Sequence, residues 1–271
     1  MAMMLEKKHS KRRILPLMRH YILQMHLTLS RLHEFWSGMI LFLTWLPTLV
    51  AKSRALFTET PRANGAETDI SISSIPTIFI NLEARNDRRQ LIEEELRSMG
   101  FLNVERFQAI SRNDGSLGCA ESHIRVLESL ADRPDPLFMI CEDDLMFSAD
   151  PGKLEALLKE FRSRPRLDVL CVAYRLRAPR LWISRSLAVA NGVQTTAGYI
   201  VRKHAIPVVL ESFRESRAML VAGESKTIAS IDVHWKKVQS DSLFFAIPNN
   251  RIARQRPSFS DITRKVKDYG D

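Results

Sequence analysis

Cysteine is scarce in this chain, with three residues, Cys119, Cys141 and Cys171, in 271. None forms a CxxC pair, each lies in an apolar setting, and an odd count argues against a disulfide framework. The thiols read as reduced and buried, and no zinc site is expected on these spacings. A glycine-rich phosphate loop is missing as well, and so are internal repeats and low-complexity tracts. No small-residue cleavage site stands out after the N-terminal apolar run, so a removed signal peptide is not expected. The body also lacks a strong excess of charge of one sign. The net charge is +9, and residues 1–36 carry Lys7, Lys8, Lys11, Arg12, Arg13, Arg19 and Arg31 against Glu6 and Glu34, seven minus two, or +5. The remainder is only mildly basic, and no nucleic-acid partner is expected.

What is present divides into unlike parts. Ile14, Leu15, Met18, Tyr21, Ile22, Met25, Leu29 and Leu32 recur at helical spacing behind a basic start, which predicts an amphipathic helix. A denser apolar stretch follows from Phe35 to Ala51, broken by Ser37, Gly38, Thr44, Pro47 and Thr48. It suits a signal-anchor helix at the short end of the roughly 20 residues a span needs, a segment lying in the membrane interface, or ordinary core. A basic segment beside apolar residues favours attachment to an anionic membrane surface through residues 12–51. Residues 1–57 therefore form one segment. Residues 58–74, rich in Thr, Ser, Glu, Asn and Gly, read as a linker, and a compact domain occupies 75–271.

Within that domain strands and helices alternate. The patterns predict strands over 77–82, 104–109, 137–141, 167–173 and 195–201, and helices over 87–99, 118–130, 153–163 and 204–215. The expected class is α/β with a mostly parallel central sheet. The most telling segment is the apolar run Leu137–Cys141, bounded by Pro136 and ending in Glu142, Asp143 and Asp144. Three carboxylates at a strand end repel one another and call for a positive partner. Glu142 and Asp144, two apart, lean the same way from an extended backbone, and Asp143 leans the other. Two oxygen ligands with room left over suit a hard divalent cation that also holds a phosphate. A solvated turn or a helix N-terminus is the plainer alternative. Asn81, Arg85, Asp87, Arg88 and Arg89 follow the first strand, and Tyr174, Arg175 and Arg177 follow the fourth. This is the edge at which an open α/β sheet binds ligands. Acids for a cation and arginines for phosphate fit a metal-bound nucleoside diphosphate.

Together these segments resemble glycosyltransferase family 25, the family of lipooligosaccharide and collagen galactosyltransferases. Phe79-Ile80-Asn81-Leu82 with Arg85, Asp87, Arg88 and Arg89 is similar to its opening. Gly118-Cys119-Ala120-Glu121-Ser122-His123 is similar to its second signature, and Glu142-Asp143-Asp144-Leu145 with Phe147 to its third. Asp168-Val169-Leu170, Tyr199, Asp232 and Ser260-Asp261 follow in the family's order. The resemblance runs from residue 77 to 262. It is loose between Ile110 and Gly118, where the family has a longer loop.

The resemblance implies a GT-A-like nucleotide-sugar-binding domain and an inverting hexosyltransferase that uses Mn²⁺ or Mg²⁺. The implied donor is a UDP-sugar carrying galactose or glucose, and the implied acceptor a glycan, lipid-linked or protein hydroxyl. Inversion by one in-line displacement needs a base, for which Asp232 is the first candidate and Asp261 the second. Glu142, Asp144 and His234 are the candidate metal ligands. Asn81, Arg85, Arg88, His123, Asp143 and Tyr199 are the candidate donor contacts. Trp182 and Trp235 could stack on an acceptor sugar, although packing is the plainer role. Two other functions compete, a catalytically silent nucleotide-binding scaffold and a different Mg²⁺-nucleotide enzyme such as a nucleotidyltransferase. The basic N-terminus predicts a membrane-associated enzyme at the cytoplasmic face in a bacterium, or a type II membrane protein of a secretory compartment in a eukaryote.

Overall fold

The computed structural model describes residues 70–260 and 265–267. The segment 1–57 with its expected membrane attachment, most of the stretch 58–74 expected to be a linker, and Asp261 lie outside the described residues. Among the described residues no helix is long and apolar enough to cross a membrane.

The chain alternates as its hydrophobic periods require. Strand β1 (Thr77–Asn81) leads to helix α1 (Asn86–Ser98), strand β2 (Val104–Gln108), helix α2 (Gly115–Leu130) and strand β3 (Leu137–Glu142). A two-residue turn then opens strand β4 (Leu145–Phe147), followed by helix α3 (Pro151–Arg162) and strand β5 (Val169–Cys171). Strands β6 (Arg180–Trp182), β7 (Leu187–Ala190) and β8 (Gly198–Arg202) come next, then helix α4 (Ile206–Val221). Three short helices, α5 (Lys226–Ala229), α6 (Ile231–His234) and α7 (Lys236–Asp241), precede strands β9 (Phe245–Pro248), β10 (Ala253–Gln255), β11 (Ser258–Ser260) and β12 (Lys265–Lys267).

Local chemistry sets the boundaries. Asp114 caps α2 by accepting from the Ser116 N–H at 2.8 Å. Asp150 caps α3 by accepting from the Lys153 N–H at 3.0 Å, with Pro151 opening the helix. Such caps satisfy donors that a helix start leaves free. Gly100, at φ +88°, stops α1 in the left-handed region that glycine enters readily.

Eight strands form one sheet in the order β2-β1-β3-β8-β5-β9-β7-β6. β1 pairs in parallel with β2 and β3, and β5 with β9. β8 runs antiparallel between β3 and β5, and β7 antiparallel between β9 and β6. Six of the eight strands therefore point the same way, and the α/β class with a mostly parallel sheet is as the alternation implied. One face of the sheet is covered by α2, α4, α5 and α6, and the other by α1 and α3. Ile72, within the stretch read as linker, is buried among the α1 and α3 side chains, and its N–H donates to Glu155 at 2.9 Å.

Two features of the topology position the site. The chain leaves β1 for β2 on one side and returns to β3 on the other, so the strand order reverses between β1 and β3. A crevice opens at such a switch point, beyond the carboxyl ends of the strands. β10 then pairs antiparallel with β4, with Gln255 opposite Leu145, and brings the C-terminal part of the chain across the acidic turn.

Candidate active site

β3 is buried along Leu137–Cys141 and ends where the switch point opens. Asp143 and Asp144 occupy the turn to β4, so simple strand alternation does not apply to them. Asp143 accepts from Asn81 Nδ2 at 2.8 Å and from Arg88 Nη1 at 2.9 Å. It thereby ties the end of β1 and the start of α1 to the acidic turn. Asn81 is buried, and its Oδ1 accepts from Arg106 at 3.1 Å. Arg85 pairs with Asp87 at 2.9 Å, and the guanidinium beside it holds the Asp87 carboxyl down at about 2. Arg89 pairs with Glu93 one helical turn away, on a more exposed face.

Glu142 accepts from the Thr196 hydroxyl at 2.7 Å, and its Oε1 lies 3.5 Å from His123 Nε2. Burial works against its charge, but His123 and Thr196 outweigh burial, and its pKa is lowered. Asp144 has no such support. Its Oδ1 is buried without a hydrogen-bond partner, and Oδ2 meets only Gln255 Nε2, at 3.5 Å. Burial, then the neighbouring Glu142 and Asp143, push its carboxyl up to about 8. Adjacent carboxylates driven apart in this way are a mark of functional sites.

These groups line a cavity of about 770 Å³. Its walls include Arg85 and Arg88, the segment 108–112 after β2, the first turns of α2, the turn Glu142–Asp144, and Gln255. Close approach of α2 to that segment depends on Gly118, where a Cβ would lie 2.5 Å from the Ile110 carbonyl oxygen. Ser122 clamps the contact by donating to the Gly118 carbonyl at 2.7 Å and accepting from the Ile110 N–H at 2.8 Å.

No protein-family model matches the chain, and no curated protein matches it either. Solved structures that are distantly similar include the following three. One is a glycosyltransferase involved in glycosylation of the major capsid of PBCV-1, at 12% identity over 62% of this chain and 90% of that one, with a TM-score of 0.35. Another is the A197 protein of STIV, at 12% identity over 72% and 100%, with a TM-score of 0.34. The third is a nucleoside-diphosphate-sugar pyrophosphorylase of Vibrio cholerae RC9, at 14% identity over 73% and 87%, with a TM-score of 0.33.

The structure brings Asn81, Arg85, Arg88, His123, Glu142, Asp143 and Asp144 to one switch point. The other expected site residues among those described lie elsewhere. Tyr199 is fully buried beneath His123, with its hydroxyl 3.2 Å from Nδ1 and its ring edge-on to Trp235. His234 stands apart from Glu142 and Asp144. Its Nδ1 lies 3.2 Å from the Ser212 hydroxyl and its Nε2 3.5 Å from Glu215, and burial lowers its pKa. Asp232 does not line the cavity. It accepts from the Thr195 N–H, and burial, then Glu142, raise its pKa.

Thr195 and Thr196 thus join Asp232 to Glu142, and the sequence reading passed over both. Thr195 sits at φ +75°, a strained conformation for a β-branched residue that surrounding contacts must hold. Gln255 and Cys119 were missed as cavity residues as well. Cys119 had one legible signal, its four-residue spacing from His123 on a helix. Trp235 is core, with its indole N–H donating to the Val193 carbonyl at 2.8 Å, whereas Trp182 is exposed. Asp168 lies at the opposite end of the sheet, where it binds His204 at 2.7 Å and accepts from the Phe244 N–H at 2.7 Å.

A divalent cation fits the donors around the turn. Asp144 Oδ1 is a buried acceptor lacking a hydrogen-bond partner, and a neighbouring positive charge would offset the burial and the repulsion that together raise its pKa.

Proposed function

We propose that this chain is an inverting, metal-dependent glycosyltransferase of the family 25 type with a GT-A-like domain. It moves a hexose, galactose or glucose, from a UDP-sugar to a hydroxyl of a glycan, lipooligosaccharide or protein. One observation carries the reading: a carboxylate cluster at the β1–β3 switch point shares a cavity of about 770 Å³ with Arg85 and Arg88. That pairing of acids for a cation with arginines for phosphate oxygens suits a nucleoside diphosphate.

In this reading Glu142 and Asp144 would hold Mn²⁺ or Mg²⁺, which would supply positive charge for the departing diphosphate. Arg88, fixed by Asp143, and Arg85 orient the phosphates. Asp143 and Asn81 brace the wall against which the nucleotide lies. Asp232, with its raised pKa, takes the proton from the acceptor hydroxyl. Thr195 and Thr196 set the spacing between that base and Glu142. His123 and Tyr199 act beneath the surface by holding Glu142 in place. Residues 12–51 attach the enzyme to a membrane surface near its acceptor.

The test is release of UDP from a panel of UDP-sugars by the full chain, with and without Mn²⁺. Wild type releases UDP from one hexose donor in a Mn²⁺-dependent manner, and Asp144→Ala does not. A folded wild type that neither binds UDP with Mn²⁺ nor turns over any UDP-hexose overturns the proposal.

A further inference from the structure

Below the acidic turn lies a donor set of different chemistry. Cys119 and His123 sit four residues apart on α2, on one face of the helix, and that face meets Glu142 at the end of β3. One ligand atom from each, sulfur, imidazole nitrogen and carboxylate oxygen, lies within 4.8 Å of the others. Tetrahedral zinc with bonds of about 2.0–2.3 Å places its ligands roughly 3.5 Å apart. Closing this set around an ion takes side-chain movements of about an ångström.

A second observation points to a ligand. His123 is fully buried, and its Nε2 has no hydrogen-bond partner although it faces Glu142 Oε1 at 3.5 Å. On its other side, Nδ1 lies 3.2 Å from the Tyr199 hydroxyl, which can accept an N–H from it. In that tautomer Nε2 turns a lone pair towards the carboxylate, so the two can share a cation, whereas with the proton on Nε2 the same 3.5 Å separation is the ion pair that lowers the Glu142 pKa. A ligating histidine is held in the same way, its far nitrogen bonded to an oxygen that fixes the ring. Cys119 is half-buried and, with Glu142 and His123, borders the cavity. That leaves a fourth position for water or a ligand oxygen.

We propose that Cys119, His123 and Glu142 form a three-ligand site for a soft divalent cation of the zinc class at the floor of the cavity. Sulfur and imidazole select such a metal over Mg²⁺, which favours oxygen ligands. Cys119 binds as the thiolate, and its proton passes to solvent. Glu142 belongs both to this set and to the oxygen pair above it, so Zn²⁺ at the floor competes with the hard cation for that carboxylate.

The site stands independently of the transferase reading and is tested without turnover. The full chain is stripped of metal with a chelator and titrated with Co²⁺ while its absorption is recorded. Wild type is expected to bind one equivalent with a thiolate-to-cobalt charge-transfer band, which Zn²⁺ abolishes. Cys119→Ser loses the band, and its affinity falls at least ~10-fold. Asp144→Asn keeps the band. Alkylation of the native wild type, followed by mass spectrometry, gives a reading that needs no variant. Cys141 and Cys171 are fully buried and Cys119 only partly, so Cys119 is the thiol that reacts, slowly because burial and then Glu142 raise its pKa, and Zn²⁺ but not Mg²⁺ slows it further, at least ~10-fold. A wild type without the charge-transfer band, a band that survives in Cys119→Ser, or alkylation unaffected by Zn²⁺ overturns the proposal.

Discussion

Gly118→Ala sets two physical effects against each other. Helix propensity alone favours alanine over an interior glycine by about 1 kcal/mol. The tertiary structure argues the reverse, because the added methyl would lie 2.5 Å from the Ile110 carbonyl oxygen and 3.4 Å from the Arg112 nitrogen. An ordinary C···O approach is roughly 3.3 Å, so the segment after β2 must retreat by about 0.8 Å. That retreat acts directly on the Ser122 clamp, in which Ile110 N–H to Oγ is 2.8 Å. Stretched by that amount, the bond exceeds hydrogen-bonding distance. Losing it costs about 1 kcal/mol, and overpacking adds roughly 1–3 kcal/mol. After the propensity gain is subtracted, the expected net destabilisation is about 1–3 kcal/mol. For a domain of this size that lowers the melting temperature by roughly 3–10 °C. Thermal unfolding followed by circular dichroism measures it. A variant that melts at or above the wild-type temperature would show that the 108–112 segment yields freely to the added methyl.

Other perturbations probe separate parts of the molecule. Arg202 is buried and donates to the Leu167 carbonyl at 2.6 Å and the Phe161 carbonyl at 3.0 Å. Arg202→Met leaves those carbonyls without the guanidinium and is expected to destabilise by about 2–4 kcal/mol in urea unfolding; a loss under ~1 kcal/mol contradicts this. For metal-free protein, the Asp144 carboxyl titrates at about 8 when folded against 3.8 ordinarily. Its contribution to stability is therefore fully present below about pH 4 and is lost as pH rises towards 8. Melting in chelator should show Asp144→Asn gaining on wild type from pH 5 to pH 8, and a constant difference would rule the assignment out. Under the proposed function, Arg88→Met raises KM for the UDP-sugar at least ~10-fold with a smaller change in kcat; an unchanged KM removes Arg88 from the donor site.

Much of the site was legible because it is built from local signals. Leu137–Cys141 is a strand buried on both faces, so it appears in the sequence as an unbroken apolar run, and the carboxylates that follow it mark the strand end. The same reasoning located β1, α1 and α2 to within a few residues. The sequence pattern does not show strands β4, β6, β7, β9, β10, β11 and β12. Each has three or four residues, too few to establish a period of two, and β9 (Phe245–Pro248) is an apolar run that resembles any short buried segment. The antiparallel insertion of β8 between β3 and β5 left no trace, because strand direction is a property of pairing and not of side-chain pattern.

By itself, the sequence determined that alternating strands and helices would build an α/β sheet, and that acids and arginines would gather at its carboxyl edge. Only the tertiary structure decided which of them meet. It turned Asp143 back to Arg88 and Asn81, left Asp144 buried with little support, and sent His234 to Ser212 and Glu215. It also set Cys119 and His123 against Glu142, nineteen residues further along the chain from His123. The physical reason is one of range. Hydrophobic periodicity and capping act over a few residues and are written locally, whereas hydrogen bonds and ion pairs depend on which strand ends pairing brings together.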